Sequence, residues 1–293
     1  QEHPSVDISD DGDYIVMGAE GVISYYHRDS ELCTEYDLSI SYSWRAEDPN
    51  IEHQSHGCNS YSNTAFVTIS ATGEYVAAAH IPTSTIVVYN NNGDELWNET
   101  VGSDVLGPFY CEHISAIEIS ADGNYLAVGH AGRLHYYTVK ETELLTNLIW
   151  TSTNLDFDQE IYSIALSDNG DYIVTGDSAK KLILYDRESN GDMYWEYTCS
   201  RAVTSVDISA DGIYIVAGTF RNGHEQGSDV LYLFDRYAST PLWIYQHDSY
   251  TEGLTTLDMS ADGEYIIANF LNVSILFSKD SPVPIWKNHR EWI

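Results

Sequence analysis

Six copies of a Ser-x-(Asp/Asn/Thr)-Gly-x-Tyr turn run through the 293 residues of this chain. They begin at Ser9, Ser70, Ser120, Ser167, Ser209 and Ser260, spaced 42 to 61 residues apart, and end at Tyr14, Tyr75, Tyr125, Tyr172, Tyr214 and Tyr265. A period of that size means one supersecondary unit copied around a ring or along a solenoid. No segment shows sustained helical periodicity, so the copied unit is made of strands.

The fifth copy shows the parts. In Ser205-Val206-Asp207-Ile208 apolar residues alternate with polar ones, as in a short strand, a. Ser209-Ala210-Asp211-Gly212 follows as a hairpin turn, with Asp to cap backbone amides and Gly to accept positive φ. Tyr214 to Ala217 forms strand b, Leu231 to Phe234 strand c, and Leu242 to Tyr245 strand d. Each copy ends strand c on an aromatic residue (Tyr26, Tyr89, Tyr137, Tyr185, Phe234, Phe277). Each carries a tryptophan in strand d (Trp44, Trp97, Trp150, Trp195, Trp243, Trp286). Four short antiparallel strands in six copies predict an all-β, six-bladed β-propeller occupying 1–293 as one domain. The blades fall at about 3–52, 64–103, 114–154, 161–200, 203–248 and 254–293. Counted through both termini, the stretch from Trp286 to Ser9 is as short as the internal connections, which predicts closure with whole blades.

The run Val-x-Ile-Ser-Ala-Asp-Gly-x-Tyr-Ile-Val-Ala-Gly, followed by Tyr/Phe-Asp and Leu-Trp, resembles the WD-repeat and quinoprotein-like propeller families. The version it looks like is that of secreted or surface proteins of archaea and bacteria, and the likeness covers the whole chain. Tyr185-Asp186 and Phe234-Asp235 stand where a WD repeat has Trp-Asp. The Gly-His pair of standard WD repeats is missing before strand a, so the resemblance does not bring that family's buried polar network with it. It implies the fold strongly and the function weakly, because propellers host many unrelated activities.

With 45 acidic and 13 basic residues the net charge is −32. Such a surface repels nucleic acid and anionic lipid; it suits solubility in salt, attraction of cations and docking of basic partners. Gln1 stands where an initiator Met would, and no apolar targeting or membrane-spanning stretch follows, which predicts a processed chain. Asn98-Glu99-Thr100 and Asn272-Val273-Ser274 are N-glycosylation candidates. Of the four cysteines, Cys58 and Cys111 fall in d–a loops of adjacent blades and are the disulfide candidates, while Cys33 and Cys199 belong to opposite blades. These features predict an extracellular or cell-surface protein.

In a propeller the d–a and b–c loops share one face, and the a–b and c–d turns the other. Nine of the eleven histidines map to the d–a/b–c face, as do the longest loops, so this is the predicted binding face. Its candidate residues are His53, His56, His80, His113, His130, His224 and His247. Within it, His53-x-x-His56-x-Cys58 and Cys111-x-His113 bring together donors for zinc or copper, making His53, His56 and His113 the metal candidates. Their spacing matches no established zinc motif, and a disulfide competes for both cysteines; surface histidines on a pinned loop are the plainer reading. His80, His130 and Asp177 follow strand b at equivalent positions in three consecutive blades. Facing sheets stand about 10 Å apart, too far to share one metal, so these three are expected along the rim as polar contacts to a partner.

Asp186-x-Glu188-x-Asn190-Gly191-Asp192 resembles a calcium loop, with Asp186, Glu188, Asn190 and Asp192 as oxygen donors. Tyr197 stands where the closing Glu is needed, so a plain c–d turn competes. No nucleophile elbow or phosphate-cradling loop appears. The sequence therefore predicts a non-enzymatic binding, scaffold or structural assembly module. Its partner is a protein or a second copy, the latter in a surface layer or filament. The alternative is a metal- or quinone-dependent enzyme using the same histidine-rich face. No cofactor is assigned beyond calcium or a transition metal as candidates.

Overall fold

The computed structural model describes residues 5–19, 22–28, 44–47, 65–80, 84–101, 114–140, 147–152, 159–220, 229–247 and 253–289. They form six sheets of four antiparallel strands, the architecture of a six-bladed β-propeller. The first sheet holds β1 (Ser5–Ile8), β2 (Tyr14–Ala19), β3 (Val22–His27) and β4 (Trp44–Glu47). The second holds β5 (Ala65–Ile69), β6 (Tyr75–His80), β7 (Thr85–Asn90) and β8 (Glu95–Thr100), and the third β9 (Ile114–Ile119), β10 (Tyr125–His130), β11 (Arg133–Thr138) and β12 (Leu148–Thr151). In the fourth are β13 (Ile161–Leu166), β14 (Tyr172–Asp177), β15 (Lys181–Asp186) and β16 (Met193–Thr198). The fifth has β17 (Val203–Ile208), β18 (Tyr214–Thr219), β19 (Asp229–Asp235) and β20 (Trp243–His247). The sixth has β21 (Leu254–Met259), β22 (Tyr265–Phe270), β23 (Val273–Ser278) and β24 (Ser281–His289). Within every sheet the spatial order follows the chain.

By contacts the chain divides into two compact units, Gln1–Ala131 with His135–Ile149, and Gly132–Leu134 with Trp150–Ile293. Within each unit the core lies between consecutive sheets. Leu182 and Leu184 pack with Val206, Ile208, Ile215 and Phe234; Val216, Leu233 and Trp243 pack with Leu257, Ile266 and Phe277. In the first unit Ala77, Ile86 and Val88 meet Ile117, Leu126 and Tyr137. In the second to fifth sheets strands b and c are buried on both faces, which is why they read as nearly unbroken apolar runs.

The repeated turn folds the hairpin as its composition predicts. In the first copy Ser9 Oγ accepts the Tyr14 N–H at 3.0 Å and donates to Asp11 Oδ1 at 2.7 Å, and Asp11 accepts the Asp13 N–H at 2.9 Å. These bonds hold the Asp11 and Asp262 carboxyls below the usual carboxylate range. The turn glycines take φ values near +70°, for example Gly212 at +69°.

The same turns also join sheet to sheet. The Asp10 N–H donates to Ala71 O, Ala71 to Ala121 O, Asp168 to Ala210 O and Ala210 to Ala261 O, at 2.9–3.1 Å. Tyr14, Tyr75, Tyr172 and Tyr214 each press against the turn glycine of the following blade, Gly73, Gly123, Gly212 and Gly263, so closely that a Cβ there would lie within 2.7 Å of the ring. The indole Nε1 of Trp97, Trp150, Trp195 and Trp243 donates to a backbone carbonyl after strand c of the next blade, at Val139, Arg187, Arg236 and Lys279 (2.7–2.9 Å). Strand a adds a third fastening. Ser5, Ser163 and Ser205 hydroxyls accept the N–H of Val67, Val206 and Leu257, while Asp7, Thr68 and Asp207 accept those of Ile69, Ile119 and Met259. Burial pushes the Asp7 and Asp207 carboxyls up, against the pull of those amide bonds.

Candidate interaction face

Within each blade the end of strand b and the start of strand c supply described residues of the d–a/b–c side. His80, His130, Asp177, Thr219 and Phe270 occupy the last position of β6, β10, β14, β18 and β22. All five are buried. His80, His130 and Asp177 keep their predicted places in the blades but not their predicted exposure: they point into the protein, and none lines a rim. Each stands five residues after the strand-b tyrosine, so its side chain lies on the other side of the strand from that ring.

Their roles differ by blade. The His130 and His135 rings lie 5.9 Å apart, and both are buried. Thr219 Oγ1 donates to Val230 O and accepts the Val230 N–H, closing the entry to strand c. Asp177 Oδ1 accepts the Lys181 N–H at 2.7 Å, across a turn in which Lys180 sits at φ +71°. Burial pushes the Asp177 carboxyl up to about 6, with the amides of Lys181 and Ala179 pulling the other way. The Cys199 thiol is pushed up to about 12 by burial, with the Asp177 charge adding to it, so it remains an unreactive thiol.

In the fifth blade His247, the last residue of β20, stacks on Phe270 with ring centroids 4.1 Å apart. It pairs across the sheet with Asp229. Asp229 lies 3.7 Å from the Arg201 guanidinium and accepts the Leu254 N–H at 3.1 Å, so it ties strand c of one blade to strand a of the next. Arg201, Asp229 and His247 are all buried. Phe220 packs against Gly253, where a Cβ would lie 2.2 Å from the ring. The Leu271 N–H donates to Gly253 O. Phe220 and Leu271 are 38% and 53% exposed, an apolar pair at the surface of this face.

Sequence reasoning passed over both groups. Phe220 and Leu271 each follow strand b directly, at the position of Ala131 and Ser178 in earlier blades, so the repeat register would have revealed them. Arg201 and Asp229 meet through the fold, and no spacing in the chain announces it.

His53, His56, His113, His224, Cys58 and Cys111 lie outside the described residues, and with them the transition-metal set and the disulfide. Asp186, Glu188, Asn190 and Asp192 form a c–d turn around a 3-10 turn, Arg187–Ser189. Asp186 Oδ1 accepts the Glu188 N–H, Asn190 adopts φ +55°, and Glu188 pairs with Arg187 at 3.3 Å. Among the described residues no three His, Cys, Asp or Glu side chains converge as metal ligands. Asn98 is exposed on the outer strand β8, and Asn272 half-buried in the two-residue turn after β22. No helix among the described residues is long and apolar enough to cross a membrane.

On the opposite face, ion pairs tie turn to turn. Arg28 pairs with Asp13, Arg187 with Asp171 and Lys279 with Glu264, each joining the c–d turn to the a–b turn of its own blade. Arg236 and Lys279 also lie over the Tyr172 and Tyr214 rings of the preceding blade, at 4.3 and 5.8 Å.

The family described as WD domain, G-beta repeat matches residues 152–186. The match runs from the end of β12 through β13, β14 and β15 to Asp186, one repeat ending on Tyr185-Asp186. No curated protein matches the chain. One matched repeat set among six four-stranded antiparallel sheets makes the chain a WD-repeat-like β-propeller.

Proposed function

We propose that the chain is a non-enzymatic, extracellular interaction scaffold that binds protein partners through its d–a/b–c loops. The observation that carries the reading is the WD-type repeat in the fourth blade of a six-sheet propeller, since WD-repeat propellers generally serve as protein-interaction scaffolds. Two features support the choice of face. The d–a/b–c side holds the longest loops of the sequence, and Phe220 and Leu271 are exposed there. The −32 charge favours a basic partner, and the exposed Asn98 sequon supports an extracellular setting.

Replacing loop 221–228 by a two-residue turn, and separately reversing the charge of Glu188 and Asp192 on the other face, tests the reading. Partners captured from the extracellular fraction of the source and identified by mass spectrometry should be lost with the first variant and kept with the second. The opposite result would move the interface, and a stoichiometric transition metal in the purified chain would favour the enzymatic alternative. Self-association is one form of the proposal. Sedimentation that stays monomeric at all concentrations would remove it.

A further inference from the structure

Three oxygens in the fourth blade lack what buried oxygens almost always have. Thr175 Oγ1, Asp177 Oδ2 and Tyr185 OH are buried with no hydrogen-bond partner among the described residues. Their residues are 1%, 1% and 0% exposed. Thr175 and Asp177 are two apart on β14 and so share a face. The pairing of Ile173 with Tyr185 and of Thr175 with Ile183 places Tyr185 on that same face of β15. The hydroxyls of Ser152 and Thr175 stand near enough to act on the Tyr185 phenol, and Ser152 Oγ already accepts the Leu134 N–H at 3.0 Å.

The combination belongs to this blade. Where Thr175 stands, the others carry Met17, Ala78, Val128, Ala217 and Ala268, and the two following blades replace Tyr185 by Phe234 and Phe277. Nearest in kind to Asp177 is Thr219, whose hydroxyl is satisfied in both directions by Val230. An ionised Asp177 oxygen can only accept, while the two hydroxyls can each donate and accept. Water complements such a set, donating to the carboxylate and accepting from the hydroxyls, and buried waters typically make about three such bonds. Three protein oxygens fall short of the roughly six to eight that calcium takes.

We propose that a buried water bridges Thr175 Oγ1, Asp177 Oδ2 and Tyr185 OH across β14 and β15. It is a structural ligand of the blade, and its presence is independent of the interaction proposed above.

A high-resolution crystal structure of the full chain should show one ordered peak with three contacts of about 2.6–3.1 Å to these atoms. In solution, oxygen-17 relaxation dispersion should count one long-lived water fewer in a Thr175→Val/Tyr185→Phe double variant than in the parent. Tyr185→Phe alone, which copies the next two blades, serves if the double variant fails to fold; it should shorten that water's residence time. A dry site with the three atoms bonded directly to one another would overturn the proposal. So would an equal water count with unchanged residence time, or a peak with five or more contacts near 2.4 Å, the signature of a metal cation.

Discussion

Asp177 closes the b–c turn of the fourth blade by giving one oxygen to the Lys181 N–H, at the cost of burying a carboxylate. Its folded value, about 6, lies above the ordinary 3.8. Between these values the folded chain holds a proton that the unfolded chain has released, so stability falls as pH rises through the window and stays lower above it. Asp177→Asn keeps the acceptor for Lys181 and removes the charge. Urea midpoints taken from pH 4 to pH 8 should show the variant gaining on the parent with rising pH, by about 1–3 kcal/mol at the top. A second residue-scale test uses Gly212, which sits at φ +69° with a Cβ position 2.6 Å from the Tyr172 ring. Alanine there should cost the left-handed penalty of about 1–2 kcal/mol. It should cost about 1–3 kcal/mol more, by denaturant titration, because the Tyr172 ring must move.

At the scale of the strands, the tryptophan of strand d is a tie to the next blade as well as a core residue. Trp195→Phe keeps the packing on Phe234 and removes the bond to Arg236 O. It should lower stability by about 1 kcal/mol, with the wild-type fold retained by circular dichroism. Strand order and turn chemistry were legible in the chain because Ser209, Asp211 and Gly212 act within a few residues of one another, and local chemistry repeats wherever the letters do. The depth of a residue was not. His80 and His130 were assigned to the correct end of strand b, yet whether such a side chain meets solvent depends on the neighbouring blade, which lies some 50 residues away in sequence. The Arg201–Asp229 pair was hidden for the same reason. The loops carrying His53, His56 and His113 obey no repeat, so periodic reasoning had no purchase on them.

For the molecule as a whole, a net charge of −32 with only 13 cations leaves repulsion that the paired turns of Arg28, Arg187 and Lys279 relieve locally. Salt should relieve the rest. The thermal midpoint, followed by circular dichroism, should climb by several degrees between roughly 0.01 M and 0.5 M sodium chloride. A midpoint indifferent to salt would mean that the carboxylates are neutralised in another way. Among the described residues the four bonds between turns run in one direction, the amide of one blade reaching forward to the carbonyl of the blade after it, from Asp10 to Ala71 to Ala121 and from Asp168 to Ala210 to Ala261. A coupling with a fixed polarity and a constant design lets a gene lengthen or shorten its product by whole units. A duplicated blade arrives already carrying the fittings that both of its new neighbours require.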